Sequence, residues 1–305
     1  METSHLLNTP KSSFVSYNKK DLILYSLSIG CQNYNLQDKF INEKAIDFTP
    51  FPTFPAILVF KGCSNDVLPF PSPTMHLCEI PKLPKRIGFE SSDLIIDFER
   101  EIECLQSIPS SPTKLLLTSS LRGIEKTKNG ALITFELMLT SADAKITYYR
   151  IVSGSIILGA EGFVDCGHSM KKLSIPISST SKIPVEREFR VRDDAAFLYR
   201  LNGDYNQLHV NKAVAIKNGF KKPILHGLCT LGICVREVLQ VFGTNKKSYK
   251  SCRGRFRAPV YEGDVLNIKM KFVTDRIIQM IVTVKQKVVL TGSVTLAPEF
   301  LISKL

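Results

Sequence analysis

The sequence predicts an α+β fold built twice. An apolar segment of helical period is followed by an alternating, β-rich meander, this order occurs in both halves, and a Ser- and Pro-rich stretch, Ser174 to Pro184, divides them. The 305 residues hold material for about two domains of roughly 100 to 200 residues each. Composition supports packed cores: 44% of residues are hydrophobic and 22% charged, outside the weakly hydrophobic, highly charged range of disordered chains. The expected division is an N-terminal domain over 1–172, a linker over 173–185 and a C-terminal domain over 186–305.

In the first half, Leu22, Ile23, Tyr25, Ser26 and Ile29 recur at helical spacing, which predicts a helix over Asp21 to Gly30. Seven prolines between Phe51 and Pro84 argue for extended, irregular chain there. Three strands are expected next, Lys114 to Leu121, Ala131 to Leu139 and Ile146 to Leu158, with turns at Lys126 to Gly130 and Ser141 to Ala144. The second half repeats the plan. Leu231, Cys234, Val235, Val238, Leu239 and Phe242 mark a helix over Gly227 to Phe242, and Leu266, Ile268, Met270 and Phe272 alternate with polar residues in the first strand of a meander. Two further strands follow, Ile277 to Val284 and Val288 to Leu296.

The eight cysteines form no C-x-x-C pair and have no histidine partners at metal-ligand spacing, so reduced thiols and no metal are expected. No apolar run reaches the roughly 18 residues of a membrane helix, and the start lacks a basic segment leading into an apolar one. Neither a membrane span nor a secretory signal is expected. The net charge of +12 is concentrated in the second half, densest at Lys246, Lys247, Lys250, Arg253, Arg255 and Arg257. Such a run is either a solvated loop or an anion-binding surface for nucleic acid or a phosphorylated cofactor. Asp97 to Glu103 is as unusually acidic as this run is basic.

Chemistry concentrates in Tyr199-Arg200-Leu201-Asn202-Gly203-Asp204-Tyr205-Asn206-Gln207-Leu208-His209. A carboxylate, an amide and an imidazole follow Gly203 within six residues, in a strand-breaking loop able to turn them to one point. A carboxylate and a histidine together can hold a water and exchange its protons with a substrate. A structural role competes: Asp204 and Asn206 would cap the short helix that follows, with His209 packed beneath, and spacing alone does not choose. Further on, Pro223-Ile224-Leu225-His226-Gly227-Leu228 leads into the apolar helix. Gly227 at a helix start leaves its N–H free for an oxygen gaining negative charge; close helix packing is its alternative role. His226 by itself reads as a buried, hydrogen-bonded residue.

Tyr199-x-x-Asn202-Gly203-Asp204-x-Asn206-x-Leu208-His209 with Pro223-Ile224-Leu225-His226-Gly227-Leu228-Cys229-Thr230 resembles the hydratase-2 motif of the R-specific (MaoC-like) 2-enoyl-CoA hydratases. The resemblance extends to Arg255-Phe256-x-x-Pro259-Val260-x-x-Gly263 and, more weakly, to Tyr17-x-x-x-Asp21 and Pro52-Thr53-Phe54. It implies the two-domain eukaryotic form, in which two hot-dog folds make an intrachain pseudo-dimer and only the C-terminal one keeps the catalytic loop. It implies that Asp204 and His209 are the dyad around the hydrating water, that Asn206 fixes that water and that Gly227 supplies the oxyanion-hole N–H. By the same resemblance Phe256 lines the acyl-CoA site and Lys126 meets the CoA, while the basic run with Arg253 and Arg255 suits the CoA phosphates. Gln207 stands where the family has Pro, and Asp97-Phe98 where its first domain has His-Gly. The implied reaction is hydration of trans-2-enoyl-CoA to (3R)-3-hydroxyacyl-CoA, with no metal or redox cofactor and with a homodimer expected.

Two rivals are a hot-dog acyl-CoA thioesterase, in which water attacks the thioester carbon, and a non-catalytic acyl-CoA-binding protein. Binding to nucleic acid rests on charge alone, since exposed aromatics interleaved with the basic residues are missing. The tripeptide Ser303-Lys304-Leu305 matches the address read by the peroxisomal import receptor, so a peroxisomal location is expected.

Overall fold

The computed structural model describes residues 7, 9–32, 37–78, 82–85, 95–168, 184–243 and 249–297. The first half runs β1 (Lys11–Tyr17), α1 (Lys19–Ser28), α2 (Asp38–Ile41), a 3-10 turn (Phe54–Ile57) passing into α3 (Leu58–Lys61) and a second 3-10 turn (Pro73–His76). It continues with β2 (Ile95–Cys104), β3 (Thr113–Thr127), β4 (Gly130–Ser141), β5 (Thr147–Leu158) and a short β6 (Cys166–Gly167). The second half runs β7 (Val185–Arg190), α4 (Ala195–Arg200), a 3-10 turn (Gln207–His209), α5 (Lys212–Lys217), α6 (Gly227–Phe242), β8 (Tyr249–Phe256), β9 (Val265–Phe272), β10 (Ile277–Val284) and β11 (Lys287–Leu296).

The strands form one antiparallel sheet in the order β1-β3-β4-β5-β2-β8-β11-β10-β9-β7, with β6 pairing β3 off this path. From the β2–β8 seam outward the two sides have the same plan, each half ending in its own first strand. The duplication read from the sequence is therefore a pseudo-twofold arrangement of two five-strand units. One core spans both, from Val15 and Leu22 through the buried face of α6 to Val294 and Leu296. Of the expected linker, only residues 184 and 185 are described, and Val185 already opens β7.

Both meanders and α6 match the sequence reading, and all eight cysteines are free thiols. The proline-rich stretch differs from it: Phe54 to Lys61 and Pro73 to His76 are helical rather than extended. Pro55 and Pro73 fall within the first turns, where a missing N–H costs no helical bond. The largest difference is at the seam. The acidic segment and the part of the basic run from Lys250 to Arg255 lie on the paired strands β2 and β8, with Glu99 opposite Arg255 and Glu101 opposite Arg253. Arg253 forms an ion pair with Glu99 at 3.3 Å, and Lys250 one with Glu103 at 3.4 Å. Arg150 of β5 carries the network outward, joining Glu101 to Glu136 of β4. Opposite charges on adjacent strands account for both runs at once.

Candidate active site

Three contacts shape the loop after α4. Asn202, buried after α4, donates from Nδ2 to Ser28 Oγ (3.0 Å) and to the Tyr199 carbonyl (2.8 Å), which ties the loop to the first half. Gly203 has φ +121°, and a Cβ there would lie 2.7 Å from the Lys61 backbone, so the chain turns only with glycine at this position. Asn206 accepts from Leu208 N (3.0 Å) and caps the 3-10 turn that carries His209, while its own N–H donates to Asp204 Oδ1 at 3.3 Å. The capping role weighed for Asn206 is thus present, and it holds Asp204 and His209 at one place. Gln207 sits in the turn, its amide donating to the Tyr205 carbonyl at 3.4 Å.

Ligand atoms of Asp204, His209 and His226 all lie within 4.8 Å of one another. The two imidazoles stack with centroids 3.6 Å apart and planes 25° apart. Both rings are hydrogen-bonded to backbone carbonyls: His226 Nε2 meets the Asp204 carbonyl at 3.2 Å, and His209 Nδ1 meets the Ile224 carbonyl at 2.9 Å. A carbonyl only accepts, so each of these nitrogens carries a proton, and the nitrogen of His209 left to exchange a proton is Nε2. Burial, then the neighbouring His209, hold the His226 pKa well below the usual imidazole range. The Asp204 carboxyl is raised by burial, against the pull of His209. Lone pairs in stacked rings point along parallel planes and do not converge, so this trio is a poor cage for a tetrahedral cation.

Behind the histidines a column of rings reaches into the first half. Tyr199 lies 4.9 Å from His226, and Tyr25 of α1 lies 6.1 Å from Tyr199. Gly227 opens α6, where backbone N–H groups have no intrahelical acceptor. A Cβ on Gly227 would come within 3.1 Å of the Phe256 ring, so the helix start and the end of β8 face each other closely. Asp97 and Arg100 of β2 also reach Asp204 electrostatically, an input from the first half that sequence reasoning missed. Arg100 binds both Asp97 oxygens at 3.1 Å. The register shift between Asp97 and Glu99 makes Phe98 the residue of a bulge, and Arg255 stacks over its ring at 4.2 Å.

Asp204, Asn206, His209, Gly227 and Phe256 are therefore brought together. Arg253 is half-buried and paired with the buried Glu99, a different partner from the expected phosphate. Lys126 is exposed near the β3–β4 turn, three strands from β2 along the sheet, with its N–H bonded to Asp165. Lys246, Lys247 and the tripeptide Ser303-Lys304-Leu305 lie outside the described residues.

Two family models match the chain: an "MFE-2 hydratase 2 N-terminal domain" over residues 15–153 and a "MaoC like domain" over residues 176–294. A probable enoyl-CoA hydratase 2 of Dictyostelium discoideum is 30% identical over 265 residues, covering 84% of this chain and 82% of that protein. The peroxisomal multifunctional enzyme type 2 of Mus musculus is 31% identical over 283 residues; the match takes in 88% of this chain but 36% of the mouse protein. Among solved structures, a MaoC-like dehydratase from Phytophthora capsici superposes with a TM-score of 0.83 at 27% identity, covering 96% of this chain and 97% of that one.

Proposed function

The chain belongs to the enoyl-CoA hydratase 2 family, and from that premise we propose that it adds water reversibly across the double bond of a trans-2-enoyl-CoA to give the (3R)-3-hydroxyacyl-CoA. The observation that carries this reading is the convergence of Asp204 and His209, with His209 Nε2 free to accept, in front of the Gly227 helix start. The pair holds a water; its oxygen bonds to C3 as one of its protons passes to the dyad. Electron density moves onto the thioester oxygen, which Gly227 N–H stabilises, and C2 then takes a proton as the oxygen returns to a carbonyl. Water has been added and no electrons have entered or left, so the chemistry needs no redox partner. Phe256 supports the acyl portion beside the helix start.

Incubation with crotonyl-CoA and with a longer enoyl-CoA, followed by chiral product analysis, tests the reading. The (3R)-hydroxyacyl-CoA is expected; free CoA with carboxylic acid would make the protein a thioesterase, and binding without turnover a carrier. The reading also includes a peroxisomal location, supported by the names of relatives such as the mouse enzyme. A tagged chain should enter peroxisomes and remain outside once residues 303–305 are deleted. A homodimer is part of the same proposal, and light scattering at twice the chain mass of 34.2 kDa would support it.

A further inference from the structure

The pseudo-twofold relates the active site to a second place in the molecule. The active site combines four parts: the loop after α4, the approach to α6, the last residue of β8 (Phe256) and, from the other half, the start of β2. Exchanging the halves gives the loop after α1, the approach to the Phe54 turn, the last residue of β2 (Cys104) and the start of β8. A cavity of about 500 Å³ lies there, lined among others by Gln37, Phe51, Pro52, Cys104 and Tyr249. The backbone match is close: Gly30 after α1 has φ +85° where Gly203 after α4 has φ +121°, and Pro50-x-x-Thr53-Phe54 enters its helical turn as Pro223-x-x-His226-Gly227 enters α6.

The acid–base groups are missing from this counterpart. Cys31 follows Gly30 where Asp204 follows Gly203, and burial raises its thiol to about 12, so it is neutral. Thr53 replaces His226 and is bonded to the Tyr25 hydroxyl at 2.7 Å. Phe54 puts a bulky side chain where Gly227 has none at its helix start. The room for a ligand nevertheless persists. Its walls carry Phe40, Phe51, Tyr149 and Tyr249. Gln37 is 3% exposed, its Oε1 accepts from Gln32 N, and its Nε2 has no acceptor among the described residues. A buried amide donor without a partner is destabilising, and a ligand oxygen would relieve it. Lys39 lies at the cavity with its ammonium over the Phe40 ring, 5.3 Å from the centroid, and Asp47 lines the cavity too. A buried amide donor, the Lys39 ammonium and a neighbouring carboxylate suit a single oxygen-bearing head rather than a polyphosphate.

We propose that this cavity is a second, non-catalytic ligand site that takes an apolar chain ending in a carbonyl or carboxylate oxygen, the oxygen on Gln37 Nε2 and the chain among the rings. Such a ligand is either a free carboxylic acid or the acyl part of a second thioester. Cys104 reports on occupancy because it is partly exposed and lines the cavity, whereas exposed Cys63 is elsewhere and serves as reference. With decanoate as probe, alkylation of Cys104 by N-ethylmaleimide, followed peptide by peptide, should slow by about tenfold or more while Cys63 is unaffected. Protection by decanoate alone identifies the free acid, and protection by decanoyl-CoA alone identifies the thioester. Cys104→Phe, which introduces the ring found at the end of β8, should abolish calorimetric binding of decanoate, its fold checked by near-UV circular dichroism. Unchanged Cys104 alkylation with saturating decanoate and decanoyl-CoA would overturn the proposal, as would full decanoate binding by a folded Cys104→Phe. These readouts do not involve turnover, so they stand or fall separately from hydration.

Discussion

Two imidazoles stacked at 3.6 Å make it costly for both rings to carry a positive charge at once. His226 is kept neutral by burial and by His209, so it serves as a fixed plate that donates to the Asp204 carbonyl and orients its neighbour. Asp204→Asn and His209→Gln should each lower kcat by roughly 10² to 10⁴. The double variant should be little worse than either single one, because both residues act on the same water. Stability separates catalysis from capping. Raised by burial, Asp204 contributes stability that is present below its unfolded pKa of about 3.9 and is lost as pH rises through its higher folded value. The Asp204→Asn variant escapes that loss, so its melting temperature at pH 7 should equal or exceed that of the unmodified protein. A clear fall in melting temperature with activity kept within a few-fold would make the loop structural.

The elements differ in how legible they are. The helix α6 is apolar at a 3.6-residue period and β9 and β10 alternate at a period of two, so each shows its buried face in its own sequence. Strands β2 and β8 do not, because the charges on each are matched only by the other. Read alone, one is an acidic segment and the other a basic loop; the long-range pairing that makes both into strands is invisible locally. The site shows the same division: Asp204, Asn206 and His209 were readable as a motif, whereas the contribution of Asp97 and Arg100 depends on the seam. Removing one partner of the Arg253–Glu99 pair, as in Arg253→Met, should cost up to about 3 kcal/mol because the buried Glu99 loses its ion pair and keeps Arg255 opposite it. Arg253→Met with Glu99→Met should recover most of that loss. KM for a CoA ester should hardly change; a large rise in KM at unaltered melting temperature would return Arg253 to the phosphates.

At the scale of the whole molecule, the two halves are one folding unit in all but chain connectivity. The β2–β8 ladder joins their sheets, Asn202 bonds Ser28, Arg236 of α6 donates to the Ile29 carbonyl at 3.0 Å, and one hydrophobic core passes between them. Separation would expose the seam edge of β8, an unpaired strand flanked by apolar surface, which favours aggregation. A protease site introduced at residue 180, between β6 and β7, should therefore be cleaved without loss of assembly. The fragments should co-elute with a dissociation constant below about 10⁻⁶ M, as a large, partly apolar interface permits, and should retain hydration of crotonyl-CoA. The fragment from 184 onward carries Asp204, His209 and Gly227 but not Asp97, Arg100 or Tyr25. Expressed alone it should be inactive and poorly soluble, and addition of the N-terminal fragment during refolding should restore turnover. A soluble, fully active C-terminal fragment would show instead that the first half is dispensable and that the pseudo-dimer does not build the site.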